Sequence, residues 1–208
     1  MCIRDRQYST PAVYPTVGSA VSLSLGVPAA GGNDETVNLG TDTIPLVSLR
    51  LAPSVDSNIS GNLGERDIIN RMQLKLAEVG LIITHDCEVK LILNGDLSKI
   101  SWENVASPSL SQLIKHNSAD TVTGGTEVFS FRATGGATDN QGVKLTNATN
   151  FKINELIDLG NSILGGDGTF PNGPDIITVA VKVVDTGGIG ASNPFKTSGR
   201  ITWSESQA

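Results

Sequence analysis

Apolar and polar residues alternate along most of this chain, and the alternation is of the kind that half-buried strands show. The longest stretch runs from Gly64 to Gly95, GERDIINRMQLKLAEVGLIITHDCEVKLILNG, without a proline. Met72, Leu74 and Leu76 alternate with Gln73 and Lys75, and Leu81–Ile83 comes next as an apolar block. His85, Asp86, Cys87 and Glu88 form a polar break, after which Val89, Leu91 and Leu93 alternate with Lys90, Ile92 and Asn94. Two apolar strands around a polar turn predict a hairpin. A competing pattern is present, because Ile69, Met72, Leu76 and Val79 also share one face of a helix.

The same pattern predicts strands elsewhere. Ile44–Leu51 carries Ile44, Leu46, Val47, Leu49 and Leu51, with Pro45 near its start, where a missing N–H is tolerated. Val128–Arg132 places Phe129 and Phe131 on one face and Ser130 and Arg132 on the other, after a Gly124-Gly125 turn. Val143, Leu145, Phe151 and Ile153 extend the sheet. Ile177–Val184 has the β-branched content of a central strand, and Arg200–Trp203 forms a terminal one. Gly165–Asp175, GGDGTFPNGPD, is the densest turn cluster. One short helix is expected over Pro108–Asn117, with Ser109 as its cap and Leu110, Leu113 and Ile114 on one face. Leu156–Leu164 reads as a helical turn or an irregular crossing. About eight strands separated by turn clusters predict an all-β fold, an antiparallel β-sandwich or jelly-roll-like domain with one short helix. Alternating βαβ units are missing, and no repeat at a period of roughly 20–50 residues is visible.

Composition sharpens this picture. The chain has 208 residues, enough for a core without disulfide or metal staples. Its 23 glycines favour turns and short strands. A net charge of −6 offers no basic footprint for phosphates, so nucleic acid is not an expected partner. No run approaches the ~20 apolar residues of a membrane helix, so membrane insertion is not expected. Met1–Gln7, MCIRDRQ, is unlike the rest of the chain and reads as the translated remnant of a sequencing adapter. Residues 1–7 are therefore expected to be non-native, 8–43 an extended arm and loop region, and 44–208 a β-rich domain. With Cys2 in the suspect segment, Cys87 remains as an unpaired thiol.

Candidate chemistry is sparse. His85-Asp86-Cys87-Glu88 groups metal-ligand types, but adjacent strand residues face opposite ways and cannot converge, so a solvated turn is expected. Asp167, Asn172 and Asp175 have oxygen ligands suited to calcium, without EF-hand spacing. Gly165–Gly168 is not a phosphate loop, because no lysine comes after it at the required distance. Glu65, Asp67, Glu78 and Glu103 supply carboxylates, but nothing pairs them. No G-x-S-x-G elbow is present. Aromatic residues for sugar stacking are few, namely Trp102, Trp203, Tyr8 and Tyr14. No catalytic, cofactor-binding or metal-binding residue is assigned, and the chain is expected not to be an enzyme.

Three stretches carry a family resemblance: LRLAPSVDSNISGNLGERDIINRMQLKL (Leu49–Leu76), GGTEVFSFRA (Gly124–Ala133) and LGNSILGGDGTFPNGPDIITVAV (Leu159–Val181), together with the terminal RITWSESQA. They resemble the C-terminal part of virion structural proteins of tailed phages, chiefly contractile-tailed phages of marine bacteria and cyanobacteria. The resemblance spans Ile44–Ala208 and implies a non-enzymatic particle component in the tail, baseplate, fibre or capsid, assembled in the host cytoplasm. Its implied partners are other virion proteins and further copies of itself, with a trimer expected for a fibre piece. A carbohydrate-binding or adhesin module contacting a host-surface glycan is the alternative on the same scaffold. The resemblance carries no site residues.

Overall fold

The computed structural model describes residues 21–25, 43–53, 72–104, 111–117, 120–153, 158–160, 173–184, 189 and 195–207. Thirteen strands run through them: β1 (Val21–Leu25), β2 (Ile44–Leu51), β3 (Met72–Ile83), β4 (Cys87–Leu93), β5 (Asp96–Leu97), β6 (Glu103–Asn104), β7 (Ser111–Lys115), β8 (Val122–Thr123), β9 (Thr126–Ala133), β10 (Asn147–Lys152), β11 (Asp158–Gly160), β12 (Ile177–Val183) and β13 (Phe195–Gln207). A five-stranded sheet has the order β1-β13-β3-β10, with β11 also on β3, and a six-stranded sheet has the order β6-β7-β2-β12-β4-β9. All pairings are antiparallel. One core lies between the two sheets. Leu74, Leu76, Val79, Leu81, Ile83, Phe195, Ile201 and Trp203 from the first meet Val47, Leu49, Val89, Leu91, Ile177, Val179 and Val181 from the second. The fold is thus an all-β antiparallel sandwich, as the alternation predicts.

β3 shows how the sequence pattern becomes one continuous strand. Leu74 and Leu76 alternate in one phase, and Val79, Leu81 and Ile83 in the other. The change of phase is absorbed by a bulge, since Trp203 pairs with Leu76 and Thr202 with Glu78, leaving Ala77 without an opposite residue. An extra residue in one strand returns later side chains to the original face, so all five apolar residues are buried while Ala77 is exposed. Bulges in β2 at Leu46 and in β9 at Val128 do the same for their strands. The helix alternative for Ile69–Val79 is excluded over the described part, Met72–Val79, which is strand.

Three expectations are corrected. β3 and β4 do not form a hairpin. Each is a long, strongly apolar strand, but β3 pairs with β13, β10 and β11, while β4 pairs with β12 and β9. The segment Thr84–Asp86 therefore carries the chain from one sheet to the other. It is held from several sides: Thr84 N donates to Lys196 O (3.1 Å), Gly136 N to Thr84 O (3.1 Å), Val184 N to Asp86 O (3.0 Å) and Gly135 N to Asp86 Oδ1 (2.7 Å).

The short helix is also absent. Ser111–Lys115 is strand β7, between β2 and β6, and Pro108–Leu110 lie outside the described residues. Leu113 and Ile114 are both buried, Leu113 in the inter-sheet core and Ile114 on the other side of the sheet, a period of two. An isolated helix this short has little stability of its own, whereas the sheet supplies hydrogen-bonding partners on both edges. Asp158–Gly160 likewise forms strand β11 rather than a helical turn.

The connection between β4 and β9 is a strap over the outer face of the six-stranded sheet. It leaves β4 at Asn94, which adopts φ 55° and is fixed by two side-chain bonds, Nδ2 to Asp175 Oδ1 (3.0 Å) and Oδ1 from Ile176 N (2.8 Å). It then forms β5, adds β6 and β7 at the far edge of the sheet, returns through β8 and re-enters as β9 beside β4. β5 and β8 pair, and Leu97 and Val122 pack on Ile92 and Ala180 of the sheet's outer face.

A glycine at the crossing between the sheets tests this geometry. A Cβ on Gly135 would lie 2.5 Å from Thr84 O and 2.6 Å from His85 Cα, both backbone atoms. Gly135→Ala should lower the unfolding free energy by about 1–3 kcal/mol, read as a lower urea midpoint at unchanged slope.

Candidate functional site

The strap meets the sheet through buried polar groups. On β2 the residues that alternate with Val47, Leu49 and Leu51 are Ser48 and Arg50, which point away from the inter-sheet core yet are 0% and 7% exposed. Ser48 sits opposite Thr178 on β12, and their hydroxyls are 2.7 Å apart. On its other side, Ser48 Oγ lies 2.8 Å from His116 Nε2, just beyond the end of β7. His116 Nδ1 is 3.3 Å from Asp120 Oδ2, a contact too long or bent for a straight hydrogen bond and therefore chiefly electrostatic. Asp120 Oδ2 is held in place by accepting the Asn117 N–H at 2.9 Å. The result is a chain Thr178–Ser48–His116–Asp120 across sheet and strap.

Burial lowers the pKa of His116, and the nearby Asp120 carboxylate raises it less than burial depresses it. The neutral imidazole is thus the resident form at neutral pH. A neutral ring with one N–H can serve Ser48 and Asp120 together, by donating from Nδ1 toward the carboxylate and accepting at Nε2 from Ser48. Ser48 is then free to accept from Thr178. Arg50 is tied beside this group: Nε donates to Gln112 Oε1 at 2.9 Å and its guanidinium lies 4.2 Å from the Trp102 ring centre. Burial pulls Arg50 down to about 10, so it stays charged at neutral pH. Trp102 is half-buried and serves as a rim anchor.

Serine, histidine and aspartate in this order are the groups of a nucleophile–base–orienter relay. Here the serine hydroxyl is fully buried and engaged by Thr178. In this arrangement the relay holds the strap to the sheet and presents no nucleophile to solvent.

The residues singled out from sequence go elsewhere. The expected solvated turn at His85–Glu88 is solvated only in part: Asp86 is exposed, but Thr84, His85 and Cys87 are buried, and Cys87 and Glu88 already belong to β4. His85 Nδ1 lies 2.9 Å from Thr84 Oγ1, and its ring packs 6.2 Å from Phe195. Burial and the neighbouring Asp86 push the Cys87 thiol up to about 12, which makes it a poor nucleophile. Among the described residues no three His, Cys, Asp or Glu side chains come together to hold a metal. Asp175 clamps Asn94, while Asp167, Asn172 and Gly165–Gly168 lie outside the described residues. So do Glu65, Asp67, Tyr8 and Tyr14. Glu78 pairs with Arg200 at 2.6 Å on the five-stranded sheet, and Glu103 is exposed on β6 of the other, so these carboxylates are not brought together. Trp203 is buried in the core. Sequence reading did not single out Ser48, Thr178 or Asp120. Their signal was a serine and an arginine in the polar phase of an otherwise apolar strand, and its partners lie far away in sequence.

No protein-family model matches the chain, and no solved structure matches it. Among curated proteins, it is 33% identical over 79 residues to phosphoribosylglycinamide formyltransferase from two strains of Mycobacterium tuberculosis. The match takes in 38% of this chain, and the chain spans 37% of the relatives' length. This finding overturns the expectation that the chain is not an enzyme, since the relatives it matches in part are enzymes by name.

Two outcomes check the relay. Ser48→Ala leaves Nε2 of His116 without a partner in a dry site and should cost about 1–3 kcal/mol of stability. The pH dependence has a definite sign. Because the folded state lowers the His116 pKa, the unfolded chain binds the proton more readily, and stability falls as pH drops through and below the ordinary histidine value of 6.5. Urea midpoints measured from about pH 7.5 to 5 should fall for the natural chain, and fall less for His116→Gln.

Proposed function

We propose that this chain is a structural component of a tailed-phage particle. The observation that carries the reading is the resemblance of Leu49–Leu76, Gly124–Ala133 and Leu159–Val181 to virion proteins of contractile-tailed phages. The fold supports it. His116 and Asp120 of the strap, with Thr84 and Asp86 at the crossing, tie neighbouring elements of the fold together, as a structural module requires. Two of the quoted stretches contribute β3 and β12, which sit inside their sheets, and Gly124–Ala133 contributes β9, which forms an edge. On this reading the chain assembles with other virion proteins and with copies of itself, and it resides in the particle.

A second reading rests on the partial match to phosphoribosylglycinamide formyltransferase. It assigns the chain a formyl-transfer activity, to be sought directly with phosphoribosylglycinamide as acceptor.

Antibodies raised against the purified chain provide the test. Gold labelling should decorate intact particles of a phage encoding the chain at a fixed, repeated position. Label confined to lysate protein, with purified particles bare, would remove the virion reading. Measured turnover of phosphoribosylglycinamide by the purified chain would favour the second.

A further inference from the structure

We propose that edge strand β9 pairs with β9 of a second copy, joining two six-stranded sheets across a two-fold axis. β9 spans Thr126–Ala133 and pairs with β4 on one side. Its other side has no strand partner among the described residues, and Thr126, Glu127, Val128, Ser130 and Arg132 are exposed. An open row of backbone donors and acceptors is a template for another strand.

The choice of a second copy as occupant comes from charge. Arg132 stands opposite Glu88 in the ladder, yet makes no ion pair among the described residues. Glu127 faces the same outer side, with Lys90 Nζ 2.8 Å from its Oε2. The Val128 bulge removes one residue from the count between Glu127 and Ser130. An antiparallel pairing centred on Ser130 therefore sets Glu127 of each copy against Arg132 of the other. The same register sets Phe129 against Phe131 of the second copy on the inner face. Those rings already form a half-buried cluster with Phe151, centroids 4.7 Å apart in each case, and a matching pair would extend it.

The other described edges lack this acid–base self-complementarity: β1, Val21–Leu25, carries no charge, and β11, Asp158–Gly160, has no base. β6 is two residues long. β10 carries Lys152 and no acid, so self-pairing would set its lysine against Asn147. Two-fold contacts require a patch that complements itself, and β9 satisfies that condition with one acid and one base at equal distance from the centre.

The inference deepens the particle reading by naming a surface for self-association, and its test is independent of phage particles. Sedimentation equilibrium on the natural chain should show a concentration-dependent dimer. Arg132→Glu sets two acids face to face twice over, and Glu127→Arg sets two bases. Each variant alone should weaken the dimer by about tenfold or more. An equimolar mixture of the two should recover the natural affinity, because every cross-pair is again opposite in sign. Circular dichroism and urea midpoints close to the natural chain would show that both variants fold, as expected for exposed charges. A natural chain that is monomeric at every concentration overturns the proposal. So does a dimer unchanged by both variants, although self-association through another surface would leave the particle reading intact. Recovery in the mixture, with particles bare of label, would keep the β9 contact and remove the virion reading instead.

Discussion

The outer face of the six-stranded sheet is withdrawn from water where the strap crosses it, at Ser48, Thr178, Ala180 and Ile92, and much of the molecule answers to that constraint. A sheet in a two-layer sandwich ordinarily turns one face to the core and one to solvent, so its outward residues can be any polar type. Here the strap between β4 and β9 lies on the outward face of β12 and β2. Every outward group under it must be apolar, small or fully bonded. Ile92 and Ala180 meet the first two demands by packing against Leu97 and Val122. Ser48 and Thr178 meet the third, and they do so through His116, which the strap itself delivers. Stability, the neutral state of the histidine and the path of the strap are therefore one problem with one solution.

This explains why the Ser48–His116–Asp120 relay reads differently from its residue types alone. A catalytic serine must be reachable and unengaged, with a place beside it for the reacting carbonyl. Ser48 instead has both of its neighbours supplied by the protein. Removing the strap would expose the relay, but it would also expose Ile92 and Ala180, so uncovering the site and unfolding part of the layer are the same event.

The fold class was legible because most strands obey a local rule. Phe129/Phe131 and Val89/Leu91/Leu93 alternate with polar neighbours, and that alternation needs only the nearest residues to be recognised. Partners were not legible. The β3 and β4 patterns are equally compatible with pairing to each other and with facing each other across a core, and the decision rests on contacts near Lys196 and Gly135, far along the chain. Leu113-Ile114 misled for a related reason. Two adjacent apolar residues suggest one helical face, unless both sides of a strand are dry, and only the strap makes them so. The polar cluster failed the same way: Ser48 and Thr178 are separated by 130 residues and His116 and Ser48 by 68.

The position of β13 has a consequence for how the molecule forms. It lies between β1 and β3, so among the described strands these two earlier ones share no ladder and are joined through β13. On a ribosome the chain emerges from its N-terminal end, and the edges of β1 and β3 that face β13 stay open until Phe195–Gln207 has been made. The other sheet can close earlier, once β12 has joined β2 to β4. Assembly of the sandwich is thus ordered by synthesis, with the six-stranded sheet as the surface on which the five-stranded one is completed. Such late, long-range closure is slow by nature and leaves sticky intermediates. Holding β1 and β3 apart until β13 arrives is the kinetic counterpart of the contacts that the finished fold displays.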